Sequence, residues 1–266
     1  MYRNYFGFQR APFERDVPTE QLFTAPGLDE LHARLRYLVD TRGIGLLTGE
    51  PGSGKSTALR RLRDSLHPDQ VRCLYVYDTS VNAADLFRQV ALELAIEPHW
   101  SRAMTFRGIQ AEVVRLSTER HVTVLLVIDE AHRLRPDVLG LFPLLTNFEW
   151  DGAGRLAVLL AGQTGLRQSL HLAHLEALAQ RVTVRYNLRG LDRETTKAYL
   201  EHRLKIAGLD RPLFAEPAVE AVYNATQGVM RRIDAVAHQA LVAAAAGRAK
   251  IVDTDHVARA AEEVRA

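Results

Sequence analysis

Gly49-Glu50-Pro51-Gly52-Ser53-Gly54-Lys55-Ser56-Thr57 is the stretch that decides the fold. It fits G-x-x-x-x-G-K-[ST], a loop whose backbone N–H groups curl around a phosphate while the next helix N-terminus adds partial positive charge. In that pattern Lys55 reaches the β/γ-phosphates and the Ser56 hydroxyl ligates Mg²⁺. The apolar run Ile44 to Leu47 stands directly before the loop, and a segment carrying Leu59 and Leu62 follows it. A strand-to-helix turn is the context the motif requires. All nine residues, Gly49 to Thr57, are therefore expected to line a site for ATP and Mg²⁺.

Working outward, Val122 to Ile128 (VTVLLVI) reads as a fully buried strand and ends in Asp129 and Glu130. An Asp delivered to the end of such a strand can hold Mg²⁺, usually through water, and Glu130 is the residue type needed to polarise an attacking water. Leu156 to Leu160 is a further buried strand, ending at Ala161-Gly162-Gln163. The Gln163 amide is placed to hydrogen-bond the γ-phosphate or the lytic water. Val71 to Tyr77 and the alternating Val182 to Leu188 complete a set of five strands. Helices are expected between them, including one from Leu166 to Ala179. The fold class is α/β: a P-loop domain over 27–190, with a five-stranded parallel sheet flanked by helices, then a small all-helical domain over 191–266. There Asp192 caps a helix that Gly208 stops, Pro217 opens the next, and Met230 to Ala246 and Thr254 onward form two more. Arg231 and Arg232 lie in the first turn of the third of these helices, where cations oppose the helix dipole, so an anionic phosphate partner is expected.

Residues 1–26 interleave Tyr2, Tyr5, Phe6, Phe8, Phe13 and Phe23 with prolines, which forbids a single helix; the aromatics are expected to pack on the nucleotide domain, with lining of the adenine as the alternative. His99 to Arg107 (HWSRAMTFR) reads as a loop mixing arginine with aromatics, and Arg102, Thr105 and Arg107 are candidate DNA contacts. The net charge of +2, from 34 basic and 32 acidic residues, supplies no global basic field, so any nucleic-acid contact must come from a local patch. Cys73 is the single cysteine, which leaves no disulfide framework and fits a reducing cytoplasm. No run approaches the roughly 18 apolar residues of a membrane span, so no membrane partner is expected.

GEPGSGKS, VLLVIDE, the Gln163 turn and the Gly228 to Arg231 helix start together resemble the AAA+ ATPases. Within them the chain resembles the ExeA-like branch through YFGFQRAPF, IDEAHRL, LLAGQTGL and LAQRVTVRYNLRGL. LLTNFEWD from Leu144 and GVMRRIDAVAHQAL from Gly228 are similar to transposition-associated members, helpers of the TnsC, IstB and MuB kind. The resemblance implies a helical lid for residues 191–266. It also implies that Lys55 and Ser56 are the Walker A cation and Mg²⁺ ligand, Asp129 and Glu130 the Walker B pair, Gln163 sensor 1, and Arg231 sensor 2, with Arg232 its rival. Arg181 matches the place of an arginine finger presented to the neighbouring subunit, with Arg167 and Arg155 as rivals. A trans finger places ATP between subunits, so a nucleotide-driven homo-oligomer, ring or helical filament, is implied. The implied function is an ATPase that assembles on double-stranded DNA without sequence preference and recruits or licenses a transposase with its target-selection proteins. A secretion-assembly ATPase of the ExeA/GspA type is the alternative. That type carries a membrane span and a peptidoglycan-binding extension, neither of which is expected here, and a helicase-loader-like replication adaptor is a further alternative.

Overall fold

A computed structural model describes residues 2–149 and 152–265; Trp150 and Asp151 of the LLTNFEWD stretch lie outside them. The strands are β1 (Ile44–Gly49), β2 (Val71–Val76), β3 (Thr123–Ile128), β4 (Leu156–Gly162) and β5 (Val182–Leu188). They form one sheet in the order β2-β3-β4-β1-β5, every neighbouring pair parallel. The helices are α1 (Tyr2–Phe6), α2 (Pro26–Thr41), α3 (Lys55–Ser65), α4 (Ala83–Glu93), α5 (Arg102–Glu119), α6 (Pro136–Leu139), α7 (Phe142–Leu145), α8 (Gly165–Ser169) and α9 (Glu176–Arg181). After β5 come α10 (Arg193–Ile206), α11 (Glu216–Thr226), α12 (Met230–Ala246) and α13 (Thr254–Arg265). The chain divides into two compact units, one of residues 27–49 and 55–188, the other of residues 1–26, 50–54 and 189–266.

In the sheet unit the inner strands β1 and β4 are buried at every residue, as their unbroken apolar runs require when both faces are covered. The edge strands β2 and β5 alternate buried with exposed positions, because the outer flank of an edge strand is only partly covered. Leucine and valine from one face pack with α4 and α5, and those of the other face pack with α2 and α3. The Asn82 side chain caps α4 by accepting from the Ala84 and Asp85 N–H groups.

Two expectations are corrected here. Residues 99–107 are not all loop, since α5 begins at Arg102, and Thr105 is buried with its hydroxyl donating to the His99 and Ser101 carbonyls at 3.0 and 3.2 Å. Leu166 to Ala179 is not one helix: α8, a 3₁₀ turn at Ala173–Leu175 and α9 share the segment. Leu166, Leu170, Leu175 and Leu178 are all buried. The step of five from Leu170 to Leu175 would leave one helical face, so the backbone breaks to keep both inside.

The second unit gathers α10 to α13 around one apolar cluster, and Tyr2, Phe6, Phe8 and Phe13 belong to that cluster. The expectation that these aromatics pack on the nucleotide domain is thereby corrected. The five-residue α1 is far below the ~12–15 residues at which an isolated helix becomes marginal, so packing holds it. A buried cation ties the segment down. The Arg203 guanidinium donates to the Pro12 carbonyl at 2.7 Å, the Glu14 carbonyl at 2.5 Å and the Tyr199 hydroxyl at 3.1 Å, and lies over the Phe13 and Tyr199 rings. Such a network offsets a desolvation penalty of several kcal/mol per buried ion. Asp192 caps α10 by accepting from the Thr195 N–H at 2.8 Å. Gly228 has φ +72°, and a Cβ there would lie 1.8 Å from the Leu191 carbonyl oxygen, so no other residue fits this entry to α12.

Asp234 accepts a hydrogen bond from Tyr199 at 2.8 Å and stands 3.7 Å from Arg203. Burial pushes its carboxyl from the usual 3.8 up to about 6, against the pull of Arg203. The folded state then holds a proton that the unfolded chain releases above about pH 4. The stabilising contribution is full below that pH and is lost as the pH rises through about 6. Denaturant titrations at pH 4.5 and 7 should show a fall in stability that is smaller in Asp234→Asn; equal falls would remove Asp234 as the source.

Candidate nucleotide-binding site

The sheet order places the site. β4 lies between β1 and β3, so the loop after β1, the carboxylates after β3 and Gln163 after β4 all emerge at the C-terminal edge of adjacent parallel strands. The 49–57 loop turns on Gly52 and Gly54, at φ +84° and +101°, with the Ser53 N–H donating to the Glu50 carbonyl at 3.1 Å. Lys55 is buried, and its ammonium donates back to the Gly49 carbonyl at 2.9 Å. The Ser53 hydroxyl is buried and makes no hydrogen bond among the described residues. An unmet hydroxyl and a buried ammonium on one loop fit the oxygens of a phosphate.

Ser56 and Asp129, far apart in sequence, are brought together: the Ser56 hydroxyl donates to Asp129 Oδ2 at 3.4 Å. A hydroxyl and a carboxylate so placed fit a Mg²⁺ ion that keeps most of its waters. Asp129 is buried and held on both oxygens, Oδ1 by the Glu130 N–H at 2.9 Å and Oδ2 by the Tyr75 hydroxyl at 2.8 Å. Burial first, then the bond to Asp129 and the nearby carboxylate charges, push the Tyr75 phenol above its ordinary range. Sequence reasoning missed Tyr75. Only the β2–β3 register, which pairs Tyr75 with Val127, puts its phenol within reach of the residue two positions on.

Glu130 adopts a left-handed backbone at φ 52°, a conformation that costs a non-glycine residue roughly 1 kcal/mol or more and clusters at functional sites. The buried Thr79 hydroxyl donates to its carbonyl at 3.0 Å, and its carboxylate Oε2 is 3.5 Å from His132 Nε2. The Gln163 N–H donates to His132 Nδ1 at 3.3 Å. Neither Thr79 nor His132 was singled out as a site residue by pattern.

The arginines separate by their partners. Arg231 donates its N–H to the Gly52 carbonyl at 3.1 Å, and a Cβ on Gly52 would lie 2.6 Å from that of Arg231, so Arg231 touches the phosphate loop. Arg181, at the end of α9, donates to the Pro143 carbonyl at 3.1 Å. Arg155 is engaged by the Ser117 hydroxyl and by Glu149, whereas Arg167 is exposed. Arg102 and Arg107 are exposed on the first turns of α5 beside exposed Trp100 and Met104, while Thr105 is buried beneath them.

A five-stranded parallel sheet carrying a phosphate loop and an acidic strand end defines a P-loop ATPase of the AAA+ fold. The chain belongs to the AAA domain family, whose model matches residues 37–170. It is 35% identical over 269 residues to the general secretion pathway protein A of Aeromonas hydrophila, covering 99% of this chain and 48% of that protein. The chain thus spans about half the length of this relative. Among solved structures it is similar to Cdc6p from Pyrobaculum aerophilum, at 22% identity and TM-score 0.72 over 95% of this chain and 70% of that one. The Aeropyrum pernix ORC1 protein in complex with DNA matches at 16% identity and TM-score 0.67, over 97% of this chain and 70% of that one. Among the described residues no helix is long and apolar enough to cross a membrane.

Tyr75→Phe removes the phenol that orients Asp129. Loss of such an outer partner typically weakens metal binding ~10–100-fold, so a Mg²⁺ titration of nucleotide binding should shift at least tenfold to higher concentration. An unchanged midpoint would show that the phenol orients nothing.

Proposed function

We propose that this chain is a Mg²⁺-dependent ATPase whose nucleotide state controls its assembly with further copies of itself. The observation that carries the reading is the 3.4 Å approach of Ser56 to Asp129 beside a left-handed Glu130, since it brings a hydroxyl and a carboxylate from two motifs 73 residues apart to one point, the oxygen pair that suits a hydrated Mg²⁺ ion. Residues 49–57 hold the phosphates, with Lys55 on the β/γ-phosphates and Ser56 and Asp129 on the metal. Bound Mg²⁺ supplies charge neutralisation of the phosphates. Glu130 orients and deprotonates the attacking water, and Gln163 donates to the γ-phosphate or that water. Arg231, seated on Gly52, reports the phosphates to α12, and Arg181 acts on the nucleotide of an adjacent copy.

The setting of this switch has two readings. In the first, ATP-bound copies assemble as a ring or filament on double-stranded DNA and license a transposase and its target-selection partners. The LLTNFEWD and GVMRRIDAVAHQAL stretches favour it, as do exposed Arg102 and Arg107, and a similar fold is known in complex with DNA. A modest patch on a chain of net charge +2 suffices when repeated along a polymer, because each further contact is intramolecular. In the second, the chain is an assembly ATPase of a secretion system, favoured by 35% identity to the secretion pathway protein A.

Retention on duplex DNA separates them. The first reading requires ATP-dependent, sequence-independent retention and DNA-stimulated turnover; their absence leaves the secretion reading. Glu130→Gln should slow hydrolysis ~10²–10⁴-fold and trap the ATP-bound assembly, whereas fast turnover in that variant would remove Glu130 as the base. Arg181→Ala should cut hydrolysis ~10³-fold or more and weaken assembly, with nucleotide affinity of the monomer unchanged. Wild-type turnover in Arg181→Ala would refute the trans role.

A further inference from the structure

The motif IDEAHRL contains one ring to which neither the phosphate loop nor the acidic pair gives work. His132 stands in the 3₁₀ turn just after Glu130, with only 18% of its side chain exposed. Its two nitrogens face two different strand ends. Nδ1 accepts the Gln163 N–H at 3.3 Å, so that nitrogen carries a lone pair and the neutral ring bears its hydrogen on Nε2. Nε2 is 3.5 Å from Glu130 Oε2, so this hydrogen is available to the carboxylate. Gly162, immediately before Gln163, leaves room for the arrangement: a Cβ there would lie 2.9 Å from the His132 backbone nitrogen and 3.2 Å from Nδ1. The end of β4 and the turn after β3 are thus in contact through an imidazole and a missing side chain.

From this geometry we infer that His132 is a positioning residue that aims the Glu130 carboxylate and couples its direction to the Gln163 end of β4. The inference rests on the ATPase reading and deepens it. A Glu side chain 43% exposed has several rotamers open to it, and only some point at a given water. The backbone of Glu130 is already held, by Thr79 on its carbonyl and Asp129 on its N–H, so direction is the freedom that remains. At 3.5 Å the contact exceeds the ~2.7–3.2 Å of an ordinary N–H···O bond. The carboxylate is therefore guided and not clamped, and can still turn to the water. Because the imidazole is rigid and bonded to Gln163, a shift of Gln163 toward a phosphate is passed to the base as a change of aim. No bond is made or broken at His132 itself.

The test compares kcat, KM and nucleotide affinity in wild type, His132→Ala, His132→Phe, His132→Gln, Glu130→Gln and the Glu130→Gln/His132→Ala double variant. Phe retains a ring for packing while removing both nitrogens, so it stands in if the Ala variant does not fold. The expected result is a fall in kcat of at least tenfold in Ala and Phe, with KM and affinity within about twofold of wild type. Gln, which keeps a donor and an acceptor, should regain most of the loss, and the double variant should be no slower than Glu130→Gln alone. Wild-type kcat in Phe, or losses that multiply in the double variant, would overturn the inference while leaving the ATPase reading intact. A wild-type chain that hydrolyses no ATP would instead sink the ATPase reading and this inference with it.

Discussion

Strands β1, β4 and β3 lie side by side and all run the same way, so their C-terminal ends open on one edge of the sheet. The rest of the site depends on that alignment. Three loops that could have wandered independently start from points fixed by ladders of hydrogen bonds, and the short distances between Ser56, Asp129, Glu130, His132 and Gln163 follow from it. The helices covering both faces keep the inner strands dry, which is why their sequences can be unbroken apolar runs. Buried inner strands with polar groups at their C-terminal ends give the proposed nucleotide site a frame that resists deformation.

At that edge the polar groups constrain one another. Asp129 spends one oxygen on the Glu130 N–H and the other on Tyr75, while Thr79 takes the Glu130 carbonyl. The result is a left-handed residue held by its surroundings, with its side chain free to turn. Tyr75 also stacks on Tyr77 with ring centroids 6.1 Å apart, at the exposed edge strand β2. A carboxylate buried beside a strand edge is thus linked by one phenol to the protein surface.

The helical unit is organised by a different constraint, the burial of a single guanidinium. Arg203 gathers the carbonyls of residues 12 and 14, the rings of Phe13 and Tyr199, the Tyr199 hydroxyl and Asp234 around one charge. That explains why a proline-punctuated N-terminal segment is ordered although α1 has five residues. Asp234 lies one turn beyond Arg231 in α12, so the helix that meets Gly52 is the helix that this cluster braces.

The five strands were legible in the sequence because each is a short apolar or alternating run bounded by turn residues, and β5 was read to its ends. The 49–57 loop, the acidic pair and Gln163 were named from local spacing, and the parallel strand order brings the strand ends that carry them to one edge of the sheet. The segments that misled were those in which packing overrides local pattern. Leucines 166 to 178 suit a helix until the step from 170 to 175, residues 99–107 look like a loop until Thr105 closes back on Ser101, and the N-terminal aromatics name no partner. Tyr75, Thr79 and His132 lay beyond pattern altogether, because an ordinary Tyr, Thr or His acquires a role only through what faces it. Local spacing determined the elements and the residues of the phosphate loop. Strand order and register, set by burial over the whole sheet, decided which side chains meet at its edge.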